Sequence, residues 1–295
     1  MTHHRAAFLV ALALLITGCS ANAATRGEGD KAYDAPKPTA EVVGLVLPFD
    51  AYELSHGESF TIAKAQDLLI RACMHKRGHE WQVLNYPEHV DDLKNRRRYG
   101  VIEIQVARKF GYHATSDILS GATDITDQRR KRDEHLGTDG VRAAYDEKTG
   151  CGYKANAYLL RDGAKVDYSR FNRLSSELLA KAKREPTAIR TLKRWEACMR
   201  NKGFDYRTPD ESIADPRWWS EESGHEMSDG ASRQEIATAV ADVQCKQRTR
   251  LVKVLYTEES RLQRRAVALH RSYFGQLASA KTKNLKHARE VINRQ

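Results

Sequence analysis

Beyond residue 54, apolar positions recur mainly at helical spacing. In LSHGESF, Ser55 and Glu58 stand three apart, the spacing of a capping box that satisfies the free N–H groups at a helix start. Phe60, Ala63, Leu68, Leu69, Ala72 and Cys73 then recur at roughly helical intervals, and Gly78 follows as a natural C-terminal stop. A second helix opens at Pro186, carries Leu192, Trp195, Cys198 and Met199 on its apolar stripe, and closes at Gly203. Between them, Ile102, Ile104 and Val106 alternate like a strand, but Ile104, Ala107 and Phe110 also fit a short helix ending at Gly111, which is preferred. Ser116 to Gly140 is polar and contains RRKRDEH, which predicts a long surface loop. Helical pattern returns from about Gly152 to Leu160 and from Ser169 to Lys183. After Ser232, Ile236, Val240, Val243, Leu251, Leu255, Leu262, Ala266, Leu269 and Phe274 form an interrupted stripe with no Pro and only Gly275. This predicts one very long helix or two in succession.

The two cysteine helices end in nearly the same words. ACMHKRGHEW runs from Ala72 to Trp81 and ACMRNKGFDY from Ala197 to Tyr206. Each places a Cys in the last turns of a helix, then Gly, then an aromatic residue entering a loop. Setting Cys19 aside, four cysteines remain, and four allow three connectivities. The repeat favours Cys73–Cys151 and Cys198–Cys245, so that each copy has a partner on a later helix. Loop closure then contributes about 4 kcal/mol for each bond. Four reduced, buried thiols are the alternative. The expected fold is mainly α, with two related disulfide-clasped helical units, 46–185 and 186–295, the second ending in a long C-terminal helix.

The N-terminus changes where such a protein would sit. Arg5 precedes an apolar run, Ala6 to Ile16, which is too short to span a bilayer and has signal-peptide length. It ends in Ile16-Thr17-Gly18-Cys19, which resembles the lipobox of bacterial lipoproteins. The resemblance implies a signal peptide over 1–18 and acyl chains such as palmitate on Cys19. Residues 19–45 would follow as the lipidated Cys and a flexible tether, since Ser20 to Pro38 has no apolar periodicity. Several acyl chains on one residue anchor more firmly than one. An ordinary secretory signal with an incidental Cys is the alternative.

Charge matters only after that. The chain of 295 residues carries +10, and removing Arg5 lowers this to +9. On the extracytoplasmic face the acidic neighbours are lipid headgroups and anionic wall polymers, so nucleic acid is not an expected partner. Charged residues at 30% and hydrophobics at 41% suit a helical protein with a heavily solvated surface.

Catalytic signatures are missing. The chain has no G-x-S-x-G elbow, Ser-x-x-Lys, Walker loop or C-x-x-C, and Gly27 and Gly29 fall in the tether. HEMSD, His225 to Asp229, has Asp where a zinc protease has its second His. His75 and His79 stand four apart beside Glu80, but Gly78 interrupts the helix between them. No catalytic residue, metal or cofactor is assigned. Two surface patches remain. Lys94, Arg96, Arg97 and Arg98 with Arg129, Arg130, Lys131 and Arg132 would hold anions if folding gathers them, and otherwise form a solvated charged face. Trp81, Tyr206, Trp218 and Trp219 would form an aromatic platform for glycan or peptide, and otherwise cap a core beneath a loop.

The lipobox, the paired C-M-x-x-[KR]-G motifs, RRYG at Arg97 to Gly100 and EIATAVADVQCKQRTRL from Glu235 together resemble a group of lipoproteins and secreted proteins of high-GC Gram-positive (actinobacterial) bacteria. The resemblance spans most of Leu54 to Gln295 and brings no catalytic residues. It implies the outer face of the cell membrane; in a producer with two membranes, Ser20 after Cys19 would instead resemble outer-membrane sorting. The expected function is a lipid-anchored, non-enzymatic binding module for an anionic wall component, a peptide or another envelope protein. An envelope hydrolase or its accessory factor, using acids or His225, is the alternative, and a structural spacer the third.

Overall fold

Ser55 accepts the Glu58 backbone N–H and Glu58 returns the bond to the Ser55 N–H, closing the expected capping box over helix α2, His56–His75. The computed structural model describes residues 35–115, 119, 123–163, 165–219 and 230–294. Cys19, the expected signal segment, most of the expected tether and His225 to Asp229 lie outside the described residues. Within them the protein is mainly helical. A single turn, α1, Ala40–Val43, and a 3-10 turn, Pro48–Tyr52, precede α2. There follow α3, Ile104–Phe110; α4, Thr123–His135; α5, Gly137–Tyr145; α6, Cys151–Leu159; and α7, Tyr168–Lys183. Then come α8, Pro186–Arg200; α9, Pro209–Ile213; α10, Pro216–Trp219; α11, Arg233–Thr249; α12, Leu251–Leu269; and α13, Arg271–Ile292. No described helix is long and apolar enough to cross a membrane.

Early and late helices share their cores. The C-terminal helix α13 packs along α2, α11 lies against α3 and α8, and α12 is flanked by α7 and α8. One apolar cluster joins Val42, Leu45, Tyr99 and Ile102 to Trp195, Met199, Cys245, Leu251 and Leu255. A second gathers Phe49, Phe171, Phe274 and Leu277.

Three expectations change. Residues 36–45 do not behave as a tether: Val42 and Leu45 are buried, Thr39 donates its N–H to Glu103, and the Pro36 carbonyl accepts from Arg96. Within 116–140, expected as loop, residues 123–135 form α4 and Gly137 to Gly140 open α5. The α4 sequence hides its helix because it lacks an apolar stripe. Ile125 and Arg132 are its buried side chains, and pairs such as Arg130–Glu134 at 2.8 Å and Gln128–Asp124 at 2.8 Å support its outer face. The C-terminal stretch is three successive helices. Arg250 breaks it in the left-handed region, φ 57°, and His270 breaks it again at φ −118°, ψ 39°. Neither position is Gly or Pro, so composition does not mark them.

Candidate functional site

The doubled motif folds twice into one geometry. In the first copy Gly78 is left-handed, φ 76°, the His79 N–H donates to the Met74 carbonyl at 3.0 Å, and the Gly78 N–H to His75 at 3.1 Å. In the second, Gly203 has φ 85°, Phe204 donates to Met199 at 3.0 Å, and Gly203 to Arg200 at 2.9 Å. Both are Schellman endings, which satisfy the last carbonyls of a helix through a left-handed Gly. The bonds are Cys73–Cys151 and Cys198–Cys245, as the repeat predicts, and both span 5.7 Å between Cα atoms.

Half of the expected anion-binding residues face inward. Arg96 is 4% exposed, pairs with Glu103 at 2.6 Å and donates to the carbonyls of Leu119 and Pro36. Arg97 donates to the carbonyls of Tyr112 and Ala114, and burial lowers the pKa of its guanidinium. Arg98 pairs with buried Glu259 and donates to the Ser175 carbonyl. Arg132, 6% exposed, pairs with Asp67 at 3.1 Å and lies 3.8 Å over the Trp81 ring. Lys94 sits 3.1 Å from Asp92. Arg129, Arg130 and Lys131 remain on the exposed side of α4, where Arg130 also faces Asp127 and Glu134. The structure therefore does not gather the eight into one surface. Four of them, Arg96 to Arg98 and Arg132, tie helices together from within.

The aromatic residues also part company. Trp81 is buried and donates its indole N–H to Asp67 at 3.3 Å. Tyr206, Trp218 and Trp219 share another corner. Tyr206 donates to Asp215, which Arg217 also holds, and this guanidinium keeps the Asp215 carboxyl well below the usual range. Trp218 is buried against Tyr112 and Val106, and only Trp219, 51% exposed, offers a face. That ring lies 4.5 Å from His113, whose Nδ1 meets Glu235 at 2.8 Å. Gly111 makes room for this contact, since a Cβ there would stand 2.3 Å from the Glu235 Oε1. The carboxylate orients the imidazole through Nδ1.

Two concave regions have the chemistry of a site. The first is an open groove of about 660 Å³ over the Cys198–Cys245 clasp, lined by Arg194, Asn201, Arg248, Thr249, Arg250 and Val254. No carboxylate lines it, and Arg194, Arg248 and Arg250 are exposed. Helix α8 presents Arg194 one turn before Cys198. Arg248 and Arg250 come from the end of α11, three and five residues after Cys245. The disulfide thus fixes the spacing of the two basic walls.

The second is an enclosed cleft of about 250 Å³ beside Gly100. Leu192, Pro209, Leu251, Val252 and Leu255 supply its apolar wall, and Arg98, Tyr99, Lys183, Asp210 and Lys246 its polar side. Lys246 is 2% exposed, donating to Asp242 at 2.8 Å and to the Val101 carbonyl at 2.9 Å. Asp242 also accepts the Trp195 indole N–H at 3.0 Å, yet full burial pushes its carboxyl pKa up. Sequence reasoning missed both regions. Asp242 and Lys246 stand four apart like any exposed helix pair, and Arg194 is distant from Arg248 in the chain. The described residues contain no group of three metal-ligating side chains, and His75 and His79 are parted by the Gly78 turn.

Comparison with known proteins finds no family model, no curated protein and no solved structure that matches this chain.

Proposed function

We propose that the chain is a lipid-anchored protein of the extracytoplasmic envelope, held by acyl chains on Cys19, and that it works as a non-enzymatic binding module for an anionic wall polymer. The arginine groove over the second clasp carries the reading. Three exposed arginines line about 660 Å³ of open space with no carboxylate in the lining, and Arg194 also donates to Thr191 on its own helix. Guanidinium forks suit phosphate and carboxylate oxygens, and an open, unshielded groove exerts its pull at low ionic strength. Arg250 adds weight, because it lines the groove from a left-handed backbone that costs a non-glycine residue energy. A basic surface at the end of a membrane tether would meet wall polymers before soluble anions.

The test is retention of the full-length chain on a phosphate-rich wall polymer across a salt series. Retention should fall between low and moderate salt. Replacing Arg194, Arg248 and Arg250 together by Gln should weaken it roughly tenfold at low salt, about 1.4 kcal/mol. Replacing Arg129, Arg130 and Lys131 by Gln should leave it near the wild-type value. Equal losses from both sets would remove the groove as the site.

A further inference from the structure

We infer that the cleft beside Gly100 is a binding site for a small monocarboxylate with a compact apolar body, separate from the arginine groove. The inference starts from hydrogen-bond capacity. A lysine ammonium has three donors. Lys246 spends two, on Asp242 and the Val101 carbonyl, and its third has no acceptor among the described residues although the side chain is 2% exposed. Arg98 commits Nε and Nη2 to Glu259 and Ser175, and its Nη1 has no acceptor among the described residues. Both residues line the cleft.

The acceptors nearby are already used. Asp210 takes the Lys183 ammonium on both oxygens, at 2.8 and 2.6 Å, and Glu259 accepts from Arg98, Tyr99 and Gln263. Unspent donors beside spent acceptors call for a ligand that accepts. A ligand carboxylate there would accept from Lys246 and Arg98 charge-assisted hydrogen bonds, which are stronger than neutral ones. Gly100 makes room for the Lys246 ammonium at the edge of the cleft. Gly100 is left-handed, φ 77°, and a Cβ on it would stand 3.0 Å from the Lys246 Nζ and 2.9 Å from Ile213.

The opposite wall sets the rest of the ligand. Leu192, Leu251, Val252 and Leu255 present aliphatic surface. A cavity of ~150 Å³ of this character holds benzene. At about 250 Å³ the cleft has room for a ring or short branched chain together with its carboxylate. An amine is disfavoured, since Lys183, Lys246 and Arg98 would face it with no free carboxylate.

Phenylacetate, phenylacetamide and phenethylamine, three probes of nearly one shape, test this by nuclear magnetic resonance on the full-length chain. Phenylacetate should bind and shift the signals of Gly100, Val252 and Leu255. Phenylacetamide should bind at least several-fold more weakly, and phenethylamine not at all. Leu192→Phe fills the cleft from its half-buried wall and should weaken phenylacetate at least tenfold. If that variant unfolds, Lys183→Met at the rim serves instead, with at least a twofold weakening expected. The inference fails if phenylacetate does not bind at 10-millimolar levels (about 3 kcal/mol of affinity or less), if the amine binds as well, or if the shifts fall on Arg194, Arg248 and Arg250.

Discussion

The two cysteine clasps share a decapeptide, a Schellman ending and a Cα spacing, but they work in different surroundings. The first fastens α2 to the start of α6, a helix of nine residues, beside a small cluster of Ile70, Met74, Trp81, Ala144 and Ala155. Its Arg77 adds bonds to the carbonyls of Ala143 and Thr149. The second joins α8 to the middle of the main core, where Trp195, Met199, Cys245 and Leu251 are all fully buried. Each clasp also sets a tryptophan indole on a buried carboxylate paired with a cation, by opposite routes. In the first the acid, Asp67, is on the cysteine helix and the tryptophan, Trp81, in the following loop. In the second the tryptophan, Trp195, is on the cysteine helix and the acid, Asp242, on its partner. Asp67 takes four donors: Trp81, Leu84, Tyr86 and Arg132. Asp242 has Trp195 and Lys246. A repeated motif therefore fixes the helix end and the cross-link, while the neighbours decide what the cross-link supports.

Deleting each clasp breaks the comparison most directly. Loops of 78 and 47 residues predict losses of about 4 kcal/mol for Cys73→Ala with Cys151→Ala and for Cys198→Ala with Cys245→Ala. The entropic difference between the loops is only ~0.4 kcal/mol. The surroundings should outweigh it. The second pair leaves sulfur-sized voids in the main core, so its measured loss in urea unfolding should be the larger. The first should instead show early hydrogen exchange confined to residues 137–159. Uniform loss of protection in both would mean that the clasps support one indivisible core.

The acids provide the next contrast. Lys246→Met removes the cation from Asp242 and leaves a fully buried carboxylate without its counter-ion. At neutral pH the loss should be about 3 kcal/mol. The sign of the pH effect follows from the raised Asp242 pKa. A folded carboxyl pKa above the unfolded value means the native state holds more protons in the window between them. Stability then rises as pH falls through that window, down to the ordinary carboxylate range. The variant should recover part of its loss from pH 7 toward pH 4 relative to wild type, read as urea midpoints at each pH. A pH-independent loss would place the cost in packing alone.

The clasps were legible because they are local: a helical stripe, a Cys in the last turns and a Gly stop sit within one stretch of sequence. The pairing followed from the repetition, and the short helix ending at Gly111 from three apolar positions. What stayed hidden depends on distant partners. Nothing in RRKRDEH separates Arg132, which stacks over Trp81 and pairs with Asp67, from Arg130, which faces solvent. Arg96 to Arg98 look like a basic surface until Glu103, Glu259 and the carbonyls of Tyr112 and Ala114 are placed around them. Burial of charge is a tertiary property, and a run of arginines has the same composition inside or out. The arginine groove was illegible for a related reason. Its two walls are 47 residues apart at their cysteines and meet through the disulfide.

The smallest expected effect sharpens the comparison furthest, because it isolates backbone from neighbours. Gly78 and Gly203 are both left-handed, and a Cβ on either would meet nothing within 4 Å. Gly78→Ala and Gly203→Ala should therefore pay conformational strain alone, about 1 kcal/mol each. The two losses should agree within ~0.5 kcal/mol, and Asn at either position should cost less than Ala. The residue after the glycine should separate the copies instead. Phe204 packs on the main cluster that holds Met199, whereas His79 follows Gly78 with no such ring in its place. Phe204→Ala should cost ~1–2 kcal/mol more than His79→Ala in matched urea melts. If the two glycine losses differ by as much as those, the shared backbone geometry is not what the repeat preserves.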